Sequence, residues 1–322
     1  MSNISDSDIT DRWILSHRGT KNKVDTARPY AWLVEKERTV TGAVEDTGII
    51  FLSNMECPYH CLMCDLWKNT TDEPVPAGAI PAQIEWALEK MPGVKHLKLY
   101  NSGSFFDERA IPESDYTKIA SQVSSMETVI VECHPRLVNE KCLRFRDMLK
   151  PELHIAMGLE TVNPEILQRL NKKMTPEDFR SSVNYLTVNG ILSRAFILLR
   201  PPFLSESEGV YWAERSIEFA FSAGVECCTI IPVRGGNGAM EELIKAGHFS
   251  FPDITSLGKV LEYGIGLGKG RVFADTWDLG IFSKCEKCLE QRTKRISEIN
   301  LTQKIGNSVE CDCYQFSTSI QS

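Results

Sequence analysis

Apolar and polar positions alternate along the chain in two regular patterns, one typical of strands and the other of helices. The first apolar run, GIIFL at 48–52, has the length and composition of a buried strand. The segment PAQIEWALEKM at 81–91 spaces its apolar residues as one face of a helix does, and VKHLKLY at 94–100 predicts a second strand. The same patterns predict further strands at 128–133, 153–159, 193–199, 226–233 and 271–276, and helices at 115–123, 139–149, 175–189, 206–223, 239–246 and 257–267.

This alternation predicts an α/β fold with a parallel sheet. Right-handed crossovers close such a series into a partial or full TIM-like (β/α) barrel, or leave it as an open doubly wound sheet, and periodicity does not choose between them. We expect the core to cover residues 47–282. Residues 1–46 are polar with mixed charge and predict an N-terminal extension, whereas the pattern breaks after about Leu279 and 283–322 predict a short cysteine-containing tail.

Composition narrows the class of protein. The 322 residues are 42% hydrophobic and 25% charged, as in a soluble globular protein. The segment MSNISDSDIT has no signal-peptide pattern, and no apolar run is long enough to span a membrane, so we expect a cytoplasmic location and no membrane partner. Eleven cysteines indicate metal binding rather than a disulfide framework, and the net charge of -7 disfavours a general electrostatic grip on nucleic acid.

Three cysteines follow the first predicted strand in the order C-x3-C-x2-C. The segment reads Cys57-Pro58-Tyr59-His60-Cys61-Leu62-Met63-Cys64. Three thiolates can hold a [4Fe-4S] cluster and leave one iron free to bind a small molecule. A zinc site made by the three cysteines and His60, or ordinary half-buried thiols, are the alternatives.

This motif resembles that of the radical S-adenosylmethionine (radical SAM) superfamily, in which the same spacing occupies the same loop of a partial or full β/α barrel. The resemblance implies an enzyme that binds S-adenosylmethionine at the cluster and cleaves it reductively to a 5′-deoxyadenosyl radical. It also implies a reductant such as flavodoxin or ferredoxin. Met63 stands where the family usually has an aromatic residue near the adenine, and a thioether can also cover a purine face.

Further polar residues fall at the predicted carboxyl ends of the strands, where β/α barrels build their active sites. The resemblance implies that a turn after the second strand meets the cofactor, and that the other strand ends complete its site. The expected cofactor-binding residues there are Asn101, Ser102, Gly103, Ser104, Glu132, Glu160 and Arg200, and the catalytic candidates are His134, Glu160 and Arg234. Each of these side chains has an ordinary structural role as its alternative.

Within the superfamily, three segments resemble the archaeosine synthase radical subunit and its relatives. They are GLETVNPEILQRLNKKMTPEDF, FILLRPPFLSESEG and NSGSFFDE. This resemblance implies modification of a tRNA base or nucleoside, with tRNA or a partner subunit as the partner. Two other hypotheses stay open: a zinc-stabilised binding protein on the same barrel, and a cluster-bearing subunit that is not itself catalytic.

The tail carries a second group of cysteines. Cys285, Cys288, Cys311 and Cys313 form C-x2-C and C-x-C pairs that can close a tetrahedral site, so zinc, an auxiliary iron-sulfur cluster and free thiols are all open. Arg292, Lys294 and Arg295 form a modest basic patch beside them. The remaining cysteines, at 133, 142, 227 and 228, lie within predicted strands or helices and are expected to be buried in the core.

Overall fold

The computed structural model describes residues 9–314, which contain one eight-stranded sheet whose strand order follows the chain. The first pair of strands is antiparallel and every later pair is parallel. The strands are β1 (Ala31–Arg38), β2 (Val44–Phe51), β3 (His96–Tyr100), β4 (Thr128–Glu132), β5 (Glu152–Glu160), β6 (Leu192–Leu199), β7 (Cys227–Pro232) and β8 (Arg271–Ala274).

Helices connect and cover the parallel strands. They are α1 (Asp11–Ser16), α2 (Ala79–Leu88), α3 (Tyr116–Gln122), α4 (Glu140–Met148), α5 (Pro164–Arg169), α6 (Pro176–Val188), α7 (Glu206–Ala223), α8 (Ala239–Lys245), α9 (Ile254–Gly266) and α10 (Glu286–Thr302). Short 3-10 turns lie at Leu66–Asn69, Glu113–Asp115, Pro135–Leu137, Leu279–Phe282 and Asp312–Tyr314. None of the described helices is long and apolar enough to cross a membrane.

The predicted α/β architecture is confirmed as a partial barrel. The strands from β2 to β8 and the helices between them, except the unpredicted α5, lie where periodicity placed them, and most bounds agree within two residues. Strand β2 begins at Val44, four residues earlier than expected. The start of α6 shows why most bounds agree: Thr175 accepts from the N–H of Asp178, whose carboxylate accepts from the N–H of Thr175, which is a complete capping box. Among the described residues no ladder joins β8 back to β1, so the barrel does not close by strand pairing.

Strand β1 was not predicted, because its polar sequence reads as a surface arm. It pairs with β2 along eight residues, and its half-buried and exposed positions alternate. Its Glu37 carboxylate lies 2.5 Å from Lys98 Nζ of β3 and 2.5 Å from Arg194 Nη2 of β6. Since β1, β3 and β6 are not neighbours in the sheet, these side chains meet across its concave face. Charged residues in β1 therefore contribute to the barrel interior.

Helix α10 covers the free edge of β8, and it too was not predicted. The Gln303 side chain, at the end of this helix, accepts from the N–H of Val272 and donates to its carbonyl, both at 2.8 Å. Asn300 makes the same pair with Ala274, at 2.9 and 2.8 Å. Two side-chain amides thus satisfy the backbone groups that a further strand would have paired.

The interior ion network gives a prediction on stability. Burial alone would raise the pKa of Glu37, but Arg194 and Lys98 hold that pKa well below its usual range. Glu37→Gln leaves Arg194 buried without its carboxylate and Lys98 paired only with Glu35, and we expect it to lower the free energy of unfolding by about 3 to 5 kcal/mol. Urea unfolding measures this loss.

The control is Lys36→Gln on the same strand, which removes an ion pair with Asp46 between side chains that are 62% and 55% exposed. Such a surface pair contributes little, so this variant should unfold like the wild type. Equal losses in the two variants would show that the interior network does not stabilise the barrel.

Candidate metal and cofactor site

The loop after β2 is held by contacts with two other parts of the chain, at Leu170 and at 237–240. Leu62 is fully buried in a small apolar core that also contains Leu170 and Met240, and its N–H donates to the Leu170 carbonyl at 2.9 Å. The Asn237 amide donates to the carbonyls of Leu62, at 2.7 Å, and Cys64, at 3.1 Å. The backbone that carries the three cysteines is therefore held in one conformation before any ligand binds.

All three thiols of this loop are free, and Cys61 is only 8% exposed. Burial raises the pKa of Cys57 and Cys61 to about 11 and that of Cys64 to about 12. Thiolates form there only if a positive charge replaces the lost solvation, and iron supplies that charge. The donor set therefore fits a metal cluster.

His60 is less suited to be a fourth ligand of a zinc ion. Its ring nitrogens lie 3.8 Å from a carboxylate oxygen of Asp11 and 4.0 Å from one of Glu56. Its carbonyl accepts from the Asn171 amide at 2.7 Å. Among the described residues, no three ligand atoms of His60 and the three cysteines lie within 4.8 Å of one another, as the ligands of one zinc ion would, which favours a centre held by the cysteines alone.

The turn after β3 lies directly against the cysteine loop. A Cβ atom added at Gly103 would be 3.1 Å from the Cβ of Cys57, so this close approach favours glycine. Asn101 is fully buried, and neither atom of its side-chain amide has a hydrogen-bond partner within the described residues. A buried polar group without a partner is rare, and here it fits a cofactor that supplies one. Ser102 has a left-handed backbone with φ 55°, and the Ser104 hydroxyl donates to the sulfur of Cys133 at 3.4 Å.

Glu132, at the end of β4, is bound by this turn. The Asn101 N–H donates to its Oε2 at 3.0 Å, and the N–H groups of Ser102 and Gly103 also point to the carboxylate. Removal from water raises the pKa of Glu132 to about 7, although the three amides act to lower it. The structure thus brings Glu132 and the 101–103 turn together beside Cys57.

A second charged group lies at the end of β5. Glu160 follows a bulge in the pairing with β6 and has φ 63°. Its Oε1 accepts from the Lys172 ammonium at 2.6 Å, and both residues are buried. Although burial opposes the charge of Lys172, Glu160 and the Cys61 thiolate raise its pKa above the usual range. Gly158 leaves the necessary room, since a Cβ there would lie 2.6 Å from Lys172 Nζ.

Sequence reasoning missed Lys172. It is one of two adjacent lysines in the segment LNKKM, and nothing local distinguishes a buried lysine from its exposed neighbour. Its burial and its electrostatic coupling to Cys57, Cys61 and Cys64 come from the folded chain.

His134 lies between this ion pair and the cysteine loop. Its ring stacks on Tyr59 of that loop, with centroids 3.8 Å apart. Nδ1 accepts from the Arg136 N–H at 3.2 Å, so Nε2 carries the proton and donates to the Lys172 carbonyl at 3.1 Å. Burial and the charge of Lys172 lower the pKa of His134 to about 3, which keeps the ring neutral. Both ring nitrogens of His134 are thus occupied by hydrogen bonds to the backbone.

The two predicted arginines contact other loops of the same rim. Arg200 donates to Glu206 at 2.7 Å and to the Phe251 carbonyl at 2.8 Å. Arg234 pairs with Asp275 at 2.8 Å and donates to the Trp277 carbonyl. Met63 packs against the small apolar core. Cofactor or catalytic roles for these three residues stay predictions.

The tail cysteines converge on one point. Their four sulfurs all lie within 4.8 Å of one another, and the Cys285–Cys311 and Cys288–Cys313 sulfur pairs are 3.8 and 3.7 Å apart. All four thiols are free. The predicted pairing of the C-x2-C and C-x-C segments is confirmed as a set that could bind metal.

No family model matches the chain. It is 27% identical over 320 residues to an uncharacterized protein of Methanocaldococcus jannaschii, covering 91% of this chain and 87% of the relative. It is 26% identical over 298 residues to archaeosine synthase subunit beta of Methanosarcina acetivorans, covering 85% and 84%. The Thermococcus kodakarensis protein of the same name is 28% identical over 195 residues, 56% of this chain and 60% of that one.

In structure the chain is similar to Methanocaldococcus infernus Elp3, with a TM-score of 0.51 at 16% identity, across 69% of this chain and 58% of Elp3. That similarity is one of fold. The partial barrel and the C-x3-C-x2-C loop after its first parallel strand are the two features in which the chain resembles the radical SAM superfamily. In sequence the chain is similar to archaeosine synthase subunit beta, at 26 to 28% identity.

Glu132 gives a prediction on pH. Below pH 4.5 the carboxyl is protonated whether the chain is folded or unfolded, and above about pH 7 it is ionised in both states. Between these values the folded chain keeps a proton that the unfolded chain has lost, so folding stability falls as pH rises. We expect this group to contribute a fall of about 3 kcal/mol in the metal-free protein.

Glu132→Gln removes the titrating group and retains its size. Urea unfolding of both metal-free proteins at pH 5 and pH 8 should show a smaller fall for the variant. The same fall in both would place the pH dependence on other groups.

Proposed function

We propose that this chain is a radical SAM enzyme that holds a [4Fe-4S] cluster on Cys57, Cys61 and Cys64 and binds S-adenosylmethionine beside it. The observation that carries the proposal is the set of three free, mostly buried thiols next to the Asn101 side-chain amide, which has no hydrogen-bond partner among residues 9–314. When bound, cluster and cofactor would supply reductive cleavage of the sulfonium to a 5′-deoxyadenosyl radical, with electrons from flavodoxin or ferredoxin.

The chain's own residues would bind the cofactor, orient the Lys172 ammonium and neutralise the charge of the thiolates. Gly103 lets the turn backbone approach the cofactor, and Asn101 offers an amide donor and an acceptor. Lys172 offsets the negative charge of the thiolates, since it is buried and coupled to all three. Glu160 orients that ammonium at 2.6 Å. The polar groups of the rim would be in place before the cofactor arrives.

For the substrate we propose a tRNA base or nucleoside. Two relatives named archaeosine synthase subunit beta support this choice, and the word subunit supports a partner protein. The same names favour a second candidate, a cluster-bearing subunit whose partner carries the chemistry. A cytoplasmic location fits either function and stays a prediction.

We also propose that the tail cysteines bind one zinc ion rather than a second cluster. Zinc–sulfur bonds of about 2.3 Å in a regular tetrahedron place sulfurs about 3.8 Å apart. The Cys285–Cys311 and Cys288–Cys313 sulfur pairs, at 3.8 and 3.7 Å, match that spacing. An iron-sulfur cubane is larger than a single ion and attaches its cysteines further apart.

The radical proposal is tested by anaerobic reconstitution with iron and sulfide. The wild type should take up one [4Fe-4S] cluster, seen by iron analysis and electron paramagnetic resonance, and should form 5′-deoxyadenosine after reduction with S-adenosylmethionine. Cys61→Ala should lose both properties, because two thiolates do not hold the cubane at this loop.

The matched control is Cys227→Ala, which removes a buried cysteine at the amino end of β7. It should retain cluster and product. Failure of the wild type to bind iron would refute the proposal. A stable cluster without 5′-deoxyadenosine, alone or with a partner, would favour the non-catalytic subunit.

The substrate proposal predicts binding of tRNA that depends on local cations. Because the net charge is -7, binding of tRNA must depend on a local group of Lys and Arg side chains. Their contacts with phosphates release counterions, so we expect the affinity for tRNA to fall by about tenfold or more between 50 and 200 mM salt. Lys294→Ala, at an exposed lysine of α10, should weaken binding and reduce the salt slope by about one. Absence of binding to tRNA, alone and with candidate partners, would exclude this substrate class.

A further inference from the structure

The free edge of β8 is closed by a helix rather than by a strand. Asn300 and Gln303 lie three residues apart, so both amides face the same side of α10 and reach alternate residues of β8. An uncovered edge strand is a template for pairing with another chain. The position of α10 along β8 therefore decides whether this edge is protected.

Few apolar contacts hold α10 in place. Of its seventeen residues only Cys288, Ile296 and Ile299 are buried. A 17-residue helix whose burial is this small depends on other contacts for its position.

Polar contacts fasten the chain that returns along α10. Arg295 donates to the carbonyls of Gly306, at 2.9 Å, and Asn307, at 2.5 Å, and it pairs with Glu262 of α9. The return segment then brings Cys311 and Cys313 back to the start of the helix, where Cys285 is the N-cap residue and Cys288 lies in the first turn. One end of α10 is thus linked to the tail through sulfur.

At the other end, α10 bridges the gap between the two edge strands. Arg38, the last residue of β1, donates to the Leu301 carbonyl at 3.4 Å, and Arg271 of β8 donates to the Arg38 carbonyl. The amides of Asn300 and Gln303 lie in this same turn of the chain. A shift of the helix would therefore break contacts with both strands at once.

We infer that a zinc ion on Cys285, Cys288, Cys311 and Cys313 fixes α10 in register on β8 and so keeps the open edge of the barrel closed. Zinc binding releases the thiol protons to solvent and leaves four thiolates on one Zn²⁺. The Arg292 guanidinium donates to the Cys288 sulfur at 3.2 Å and stabilises that excess negative charge. Because the metal binds only the folded tail, its binding free energy favours the docked helix.

This inference rests on the zinc assignment proposed above and is independent of the radical chemistry. It requires no activity to test. Its direct readout is the exchange of the Val272 and Ala274 amide hydrogens, which donate to Gln303 and Asn300.

The experiment compares the full-length wild type, isolated anaerobically, with the same protein after chelation and with Cys311→Ser/Cys313→Ser. The wild type should contain one zinc. Both zinc-free samples should lose about tenfold or more of the exchange protection in residues 271–274, and sedimentation should show self-association that rises with concentration. Adding zinc should reverse both changes in the chelated wild type.

Asn300→Ala/Gln303→Ala is the matched control. It should keep its zinc and still lose protection of β8, which separates the amide contacts from the metal. Unchanged exchange of 271–274 after zinc removal would overturn the inference, as would iron in place of zinc at the tail. If the tail binds zinc and zinc protects residues 271–274 from exchange, but the first cysteine loop binds no iron, only the radical proposal is refuted.

Discussion

The parallel course of β2 to β8 is the constraint on which the site depends. Parallel strands joined by right-handed crossovers point all their carboxyl ends to one rim, so residues far apart in sequence meet there. The cysteine loop follows β2, the Asn101 turn follows β3, and Glu132 and Glu160 end β4 and β5. Side chains from four strand ends thus form one wall around Cys57. Strand β1 is antiparallel, so its carboxyl end does not lie at this rim. Its Glu37 side chain contributes to the barrel interior instead.

Two buried ion groups stabilise different parts of the barrel. Glu37, Lys98 and Arg194 join strands that are not neighbours, which restrains the curvature of the sheet. Glu160 and Lys172 lie at the rim, where a buried cation compensates the thiolates of the cysteine loop. The first group is balanced within the protein. In the second group, Lys172 lies where the thiolates would carry negative charge when a ligand binds. The first group therefore suits a structural role, and the second suits a ligand site.

The two open edges of the sheet explain why α10 and the C-terminal segment pack against the barrel. A partial barrel leaves two edges that a closed barrel would have paired. Here α10 supplies side-chain amides to β8, and Arg38 and Arg271 tie β1 to the same region. The tail cysteines lie at the opposite end of α10. The C-terminal segment is therefore part of the barrel's construction rather than an appendage to it.

The sequence by itself determined the α/β alternation, the order of β2 to β8 with most of their bounds, the cysteine loop and the tail cysteine pairs. These features are local: periodicity, caps and spacing are set by residues close together in the chain. Only the tertiary structure decided that the polar segment at 31–38 is a strand, that Asn300 and Gln303 cap an edge, and that Lys172 rather than its neighbour Lys173 is buried beside the thiols. Each of these depends on partners far away in sequence. A charged residue shows no local sign of the partner that makes its burial possible.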